Sequence, residues 1–253
     1  MVTDNTSITA DKTGRGHDPD VTVALDGVSV FYGEVVGLSD VNMALKSGIT
    51  GIVGPNGSGK TTMMRVLVGL IAPREGETTV LGRSPFVDES VRSRITFVPA
   101  GESFYPGLTG RRNLEVAFMA QGRGRVEAKG LAQTALELVG LVADGSRRYG
   151  TWSRGMRQRL KLGLALAGDS EVVLLDEPFL GVDPPSRLAL RDHVLALGKQ
   201  GRTVLVSSNV LHEIEALTDL VGILAHGRLL GFGKVHTLVR KIRDDHPHRV
   251  VLQ

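Results

Sequence analysis

Eight consecutive residues, Gly54-Pro55-Asn56-Gly57-Ser58-Gly59-Lys60-Thr61, match the phosphate-binding pattern G-x-x-x-x-G-K-[ST] at every fixed position. Glycines let the backbone take turns closed to residues with a Cβ, so successive amide N–H groups can converge on one anion. Lys60 can then reach the outer phosphates, and the Thr61 hydroxyl can ligate Mg²⁺. The flanks agree: Ile49 to Val53 reads as a short buried strand entering the loop. The run from Thr61 and Thr62 to Leu70 reads as a helix leaving it, its N-terminal dipole aimed at the phosphates. A flexible turn with a surface lysine would not need strand, loop, lysine, hydroxyl and helix in this order. The chemistry implied is binding of a nucleoside triphosphate.

A second constellation is Val172-Val173-Leu174-Leu175-Asp176-Glu177, an apolar strand ending in two carboxylates. A strand buried on both faces belongs to a parallel sheet, and ligands in such sheets sit at the carboxyl ends of strands. There Asp176 can hold Mg²⁺ through water, and Glu177 can orient or deprotonate an attacking water. A third is Trp152-Ser153-Arg154-Gly155-Met156-Arg157-Gln158, which opens a helix running to about Ala167. Ser153 suits its N-cap, leaving amides for an anion. The basic residues around it, Arg147, Arg148, Arg154, Arg157, Arg159 and Lys161, are not interleaved with stacking aromatics, so they read as a solvated helix face rather than a nucleic-acid stripe. Tyr32 either stacks on a purine or fills core at a strand end.

These residues need elements to position them. The strand-like runs Val21–Leu25, Val28–Tyr32 and Val41–Leu45 alternate as a half-exposed antiparallel sheet does. Gly76–Gly82 and Ile95–Val98 are further strands. Thr109 to about Leu141 carries apolar residues at helical spacing, and such a block between strands of one sheet suggests an inserted helical subdomain. Gly222–Gly233 reads as a terminal hairpin, followed by a tail from Lys241 to Gln253 too short for a regulatory domain. Residues 1–20 are polar and read as a disordered tail.

Composition sets bounds. The chain has 253 residues, 42% hydrophobic and 23% charged, with formal net charge +3. That charge argues weakly for nucleic acid, and none is expected as a partner. The absence of cysteine excludes disulfides, thiolate chemistry and Cys-ligated metals. No apolar run approaches the roughly 18 residues that span a bilayer, and no hydrophobic leader precedes the folded part.

Taken together, Tyr32, the phosphate loop, Ser153-Arg154-Gly155-Met156, Asp176-Glu177 and Gly181-Val182-Asp183-Pro184 resemble the ATP-binding subunit of an ABC (ATP-binding cassette) transporter over roughly residues 21–233. The resemblance implies an α/β fold: a P-loop NTPase core of mixed sheet flanked by helices, an antiparallel β-subdomain, and a helical subdomain at approximately 103–168 within a domain of 21–253. It implies ATP and Mg²⁺ as ligands, Tyr32 as the adenine-stacking ring, Thr61 and Asp176 as metal ligands, and Glu177 as the catalytic carboxylate. It implies a second cassette, in a homo- or heterodimer, whose nucleotide Ser153 and Gly155 would contact. Separate transmembrane permease subunits would dock at the groove lined by Ser103 to Leu108, at the cytoplasmic face of the membrane, and export is the expected direction.

Two positions depart from the family pattern. Ala100 stands where a glutamine follows Val-Pro, and Asn209 stands where a histidine follows Ser207-Ser208. Asn209 can donate to the γ-phosphate yet cannot carry a proton. Hydrolysis is therefore expected to be slowed, not lost. Two alternatives stand beside transport: a soluble ATPase of the same family acting on ribosomes or DNA, and a nucleotide-gated scaffold with weak hydrolysis.

Overall fold

The computed structural model describes residues 18, 20–238 and 240. The expected tails, residues 1–20 and 241–253, lie outside the described residues except at positions 18 and 20. The chain enters through a long hairpin, β1 (Val23–Tyr32) and β2 (Val35–Leu45), to which β4 (Glu75–Val80) adds an antiparallel third strand, in the order β2-β1-β4. The three expected runs are thus corrected to two strands. Asp26-Gly27 does not end a strand; Gly27 takes φ +61° and the β1–β2 register shifts there, so the break is a bulge inside β1. Val35 and Val36, paired with Tyr32 and Phe31, extend the second strand back to the hairpin tip.

The other sheet is the frame of the site. β3 (Gly48–Val53) feeds α1 (Lys60–Leu67), which ends three residues before the expected Leu70. After the single-turn α2 (Glu89–Arg92), β5 (Ile95–Val98) begins the edge of this sheet. The helical block is two helices, α3 (Gly110–Ala120) and α4 (Arg125–Leu138), followed by α5 (Arg154–Ala167). The strands β6 (Val172–Leu175), β7 (Thr203–Ser208), β8 (Leu220–Ala225) and β9 (Arg228–Lys234) complete it, with α6 (Pro184–Lys199) and α7 (Leu211–Glu215) as crossovers. The strand order is β5-β6-β7-β3-β8-β9, parallel except for the β8–β9 hairpin.

Burial explains the order. β6 and β7 are buried at every residue, as strands covered on both faces must be. α1 is wedged between the two sheets: Met63, Met64, Val66 and Leu67 pack with Leu38, Ile52, Leu174 and Leu205. On the opposite face α3, α4 and α5 bury Leu114, Phe118, Leu136 and Leu160 against one another. No helix among the described residues is long and apolar enough to cross a membrane.

Candidate nucleotide site and its flanking motifs

The carboxyl ends of β3, β6 and β7 meet at one edge, and the chemistry-bearing side chains meet with them. Leu175 pairs with Val206, so the next residues out, Asp176 and Ser207, face each other. Asp176 is 2% exposed. Its Oδ2 accepts from Thr61 Oγ1 at 2.8 Å, and its Oδ1 accepts from Ser207 Oγ at 2.7 Å. Ser207 Oγ in turn accepts from the Glu177 backbone N–H at 2.9 Å. Glu177 has φ +47°, a strained conformation for a residue with a Cβ. Its Oε1 lies 3.3 Å from Lys60 Nζ. Lys60 also donates to the carbonyls of Gly54 (2.7 Å) and Pro55 (3.1 Å). Lysine, hydroxyl and two carboxylates are one connected network, and Ser207 is the link that sequence reasoning missed.

The loop itself fits a bound anion. Gly57 and Gly59 take φ +77° and +108°, and a Cβ on Gly59 would sit 2.6 Å from the Gly37 carbonyl. Gly59 precedes α1 with no side-chain cap, so no side chain competes for the helix N-terminal amides. Ser58 Oγ is buried without a protein hydrogen-bond partner. A cavity of about 290 Å³ opens over this loop, lined by Asn56, Lys60, Thr61, Thr62 and Glu177, with Tyr32 at its mouth. The Tyr32 ring is exposed, covers Gly37, and its hydroxyl is 3.4 Å from Thr62 Oγ1. Of its two readings, the ring at the pocket is the one this placement favours, and Val35 and Val36 extend the apolar wall beside it. No cluster of three or more metal-ligating side chains occurs among the described residues. Thr61 Oγ1 and the Asp176 carboxylate stand side by side as hard oxygen donors, a donor set that fits a cation such as Mg²⁺.

Other expected site residues stand apart. Ser153 caps α5, accepting from the Met156 N–H at 3.3 Å, and Asp183 caps α6, accepting from the Ser186 N–H at 3.1 Å. The two caps are neighbours: a Cβ on Gly155 would lie 2.9 Å from Ser186 Oγ, and the Arg154 guanidinium lies against Gly181. Ser153, Arg154, Gly155 and Met156 do not line the phosphate-loop cavity of their own chain. Asn209 is exposed just beyond β7 and does not line it either, and His212 points from the exposed side of α7.

The basic residues of α5 need a correction. Arg157 and Lys161 are not a solvated face. Four residues apart, they lie on one side of the helix and grip the loop after β5. Lys161 is 3% exposed and donates to the carbonyls of Pro99 and Gly101, on either side of Ala100. Arg157 pairs with Glu102 at 2.8 Å, donates to the Gly150 carbonyl, and lies over the Tyr149 ring.

The sequence model of the family described as "ABC transporter" matches residues 38–180. An uncharacterised ABC transporter ATP-binding protein of Synechocystis is 34% identical over 223 residues, 87% of this chain and 62% of that protein. The chain thus spans about three-fifths of the length of that relative. Nod factor export ATP-binding protein I of Sinorhizobium fredii is 33% identical over 232 residues, covering 91% of this chain and 68% of that one. Among solved structures, a dimeric ATP-binding cassette in a post-hydrolysis state, bound to ADP and Pi, superposes with TM-score 0.76 at 25% identity, covering 84% and 98% of the two chains.

Proposed function

Because the chain belongs to the ABC transporter family, we propose that it is the ATP-binding and ATP-hydrolysing subunit of a transporter that exports its substrate. The observation that supports this most is the convergence of Lys60, Thr61, Asp176 and Glu177 at one sheet edge beside an aromatic ring. Lys60 would hold the outer phosphates of ATP, with the Gly57 and Gly59 turns aiming amides at them. Thr61 and Asp176 would hold Mg²⁺, which supplies neutralisation of charge on the triphosphate. Glu177, its backbone fixed through Ser207, would leave Lys60, orient a water and take its proton. Tyr32 would stack on the base.

The placement of Ser153 to Met156 away from their own loop supports a role on a second cassette's nucleotide, and the relative solved as a dimer with ADP and Pi is the precedent. Closure of two cassettes on ATP would then move transmembrane subunits carried on other chains, seated at Ser103 to Leu108 on the cytoplasmic side of the membrane. Export is supported by the likeness to Nod factor export ATP-binding protein I of Sinorhizobium fredii. Cell fractionation tests this reading: the chain should sediment with membranes and a polytopic partner. Recovery with ribosomes instead would contradict it.

Ala100 and Asn209 would slow turnover. Asn209 can donate a hydrogen bond but cannot relay a proton, so Asn209→His should raise ATP turnover of the assembled complex by about 10²-fold, the low end of what a positioned acid–base group contributes. An unchanged rate would show that this position does not limit hydrolysis.

A further inference from the structure

The hairpin β8–β9 takes no part in the nucleotide chemistry described above, yet its turn touches the phosphate loop. Ala225 pairs with Arg228, so the two strands are joined by His226 and Gly227 alone, at φ +48° and +76°. A two-residue turn with both φ positive matches the twist of the strands that it joins, and glycine takes such a φ without strain. His226 is exposed and Gly227 is buried. The Gly227 N–H donates to the Ser58 carbonyl at 2.9 Å, and the Gly227 carbonyl accepts from the Ser39 N–H at 2.8 Å. Ser58 belongs to the phosphate loop and Ser39 to β2, so one turn residue is bonded to both.

The register of β2 carries the connection on to the aromatic ring. Val30 faces Leu38 and Phe31 faces Val36, which leaves Gly37 as an extra residue, bulged out of the strand. A Cβ on Gly227 would lie 3.1 Å from the Gly37 carbonyl oxygen and 3.2 Å from Leu38 Cα, both of them backbone atoms. The same Gly37 carbonyl is the one that leaves no room for a Cβ on Gly59 of the phosphate loop. Gly37 also carries the Tyr32 ring, whose edge would stand 2.8 Å from a Cβ placed there. Gly37, Gly59 and Gly227 thus stand where a methyl would crowd the neighbouring element, and packing this close passes a displacement on rather than absorbing it.

We propose that Gly227 is a positioning residue for the nucleotide: by holding the Ser58 carbonyl and bearing on the Gly37 bulge, its turn sets the distance between the phosphate loop and the Tyr32 ring, and so fits the pocket to a triphosphate that carries a base. The proposal rests on the ATP reading above and deepens it. The loop follows β3 of the six-stranded sheet and Tyr32 ends β1 of the three-stranded sheet, so their separation depends on how the two sheets meet. A gap of about 0.5–1 Å already forfeits a quarter to a half of a van der Waals contact, so a stacking ring must be held more closely than that. A methyl at position 227 keeps the N–H that Ser58 accepts but pushes on Gly37 and Leu38. It displaces the ring and leaves the loop in place.

The full chain and its Gly227→Ala variant are titrated calorimetrically with MgATP and with magnesium tripolyphosphate, which has the phosphates without the base. The variant should bind ATP about tenfold more weakly, the order of one lost base–ring stack. Its affinity for tripolyphosphate should stay within about threefold of the wild type, whereas a loss of stability alone would weaken both ligands alike. Added to Tyr32→Ala, the same change should cost ATP binding no more than about twofold further, because both act through one stack. Equal losses for the two ligands, an ATP affinity that Gly227→Ala leaves unchanged, or full additivity with Tyr32→Ala would each overturn the proposal. Amide hydrogen exchange of the wild type decides the same question with no variant to fold. MgATP should slow exchange at both Ser39 and Gly227, and tripolyphosphate at Gly227 alone; equal protection by the two ligands would overturn the proposal. A wild type that binds no ATP would sink the nucleotide reading itself, while ATP binding with equal losses sinks this inference alone.

Discussion

Steady-state ATP hydrolysis will fall by about 10²–10⁴ when Glu177 is replaced by Gln, while ATP still binds. The substitution keeps the shape of the side chain and the backbone N–H that Ser207 Oγ accepts, so the left-handed turn at Glu177 is retained. What it removes is the carboxylate charge now facing Lys60, which is also the one carboxylate among the described residues lining the cavity. Binding should hold or improve, because Lys60 keeps its Gly54 and Pro55 carbonyls and loses an anion that competes with phosphate. The check is turnover and bound ATP measured on the same sample. A low baseline that Glu177→Gln leaves unchanged would favour the scaffold alternative, in which nucleotide binding alone does the work.

Asp176→Asn should raise the Mg²⁺ concentration for half-maximal hydrolysis by about 10–100-fold, the range for a disturbed metal environment. Both carboxylate oxygens are engaged, one by Thr61 and one by Ser207. An amide replaces one acceptor with a donor that faces a hydroxyl, and it removes the negative charge that draws the cation. Since Ser207 also accepts from the Glu177 N–H, the same change should loosen Glu177, the proposed catalytic carboxylate. A Mg²⁺ titration of activity separates the two effects: a metal defect is rescued at high Mg²⁺, and a misplaced Glu177 is not. An unshifted Mg²⁺ midpoint would remove Asp176 from the metal site.

The parts of this site that were legible in the sequence are those whose chemistry is local. Strand, glycine turn, lysine, hydroxyl and helix follow one another between positions 49 and 67, so their geometry is set by neighbours along the chain. The apolar run into Asp176-Glu177 was equally plain. Ser207 was not, because its role comes from the β6–β7 register, which sets it opposite a residue 31 positions earlier. Lys161 misled for a related reason. A lysine among arginines on a helix reads as solvent-facing, and only the packing of α5 against the loop after β5 turns it inward. The bulge at Gly27 reads in the sequence as a break between two strands, because a positive-φ glycine serves both a turn and a bulge. That Ser153 lies outside its own chain's nucleotide cavity is a tertiary fact no local pattern contains.

The central claim is that the loop from Gly54 to Thr61 holds ATP through Lys60, and a calorimetric titration of MgATP into the wild-type chain and into Lys60→Ala tests it. The wild type should bind one ATP per chain saturably. The variant, having lost the buried ammonium proposed to meet the phosphates, should bind at least about 10²-fold more weakly, in line with about 3 kcal/mol for a charge-assisted contact. Equal affinity in the two proteins, or no saturable binding by the wild type, would contradict the account.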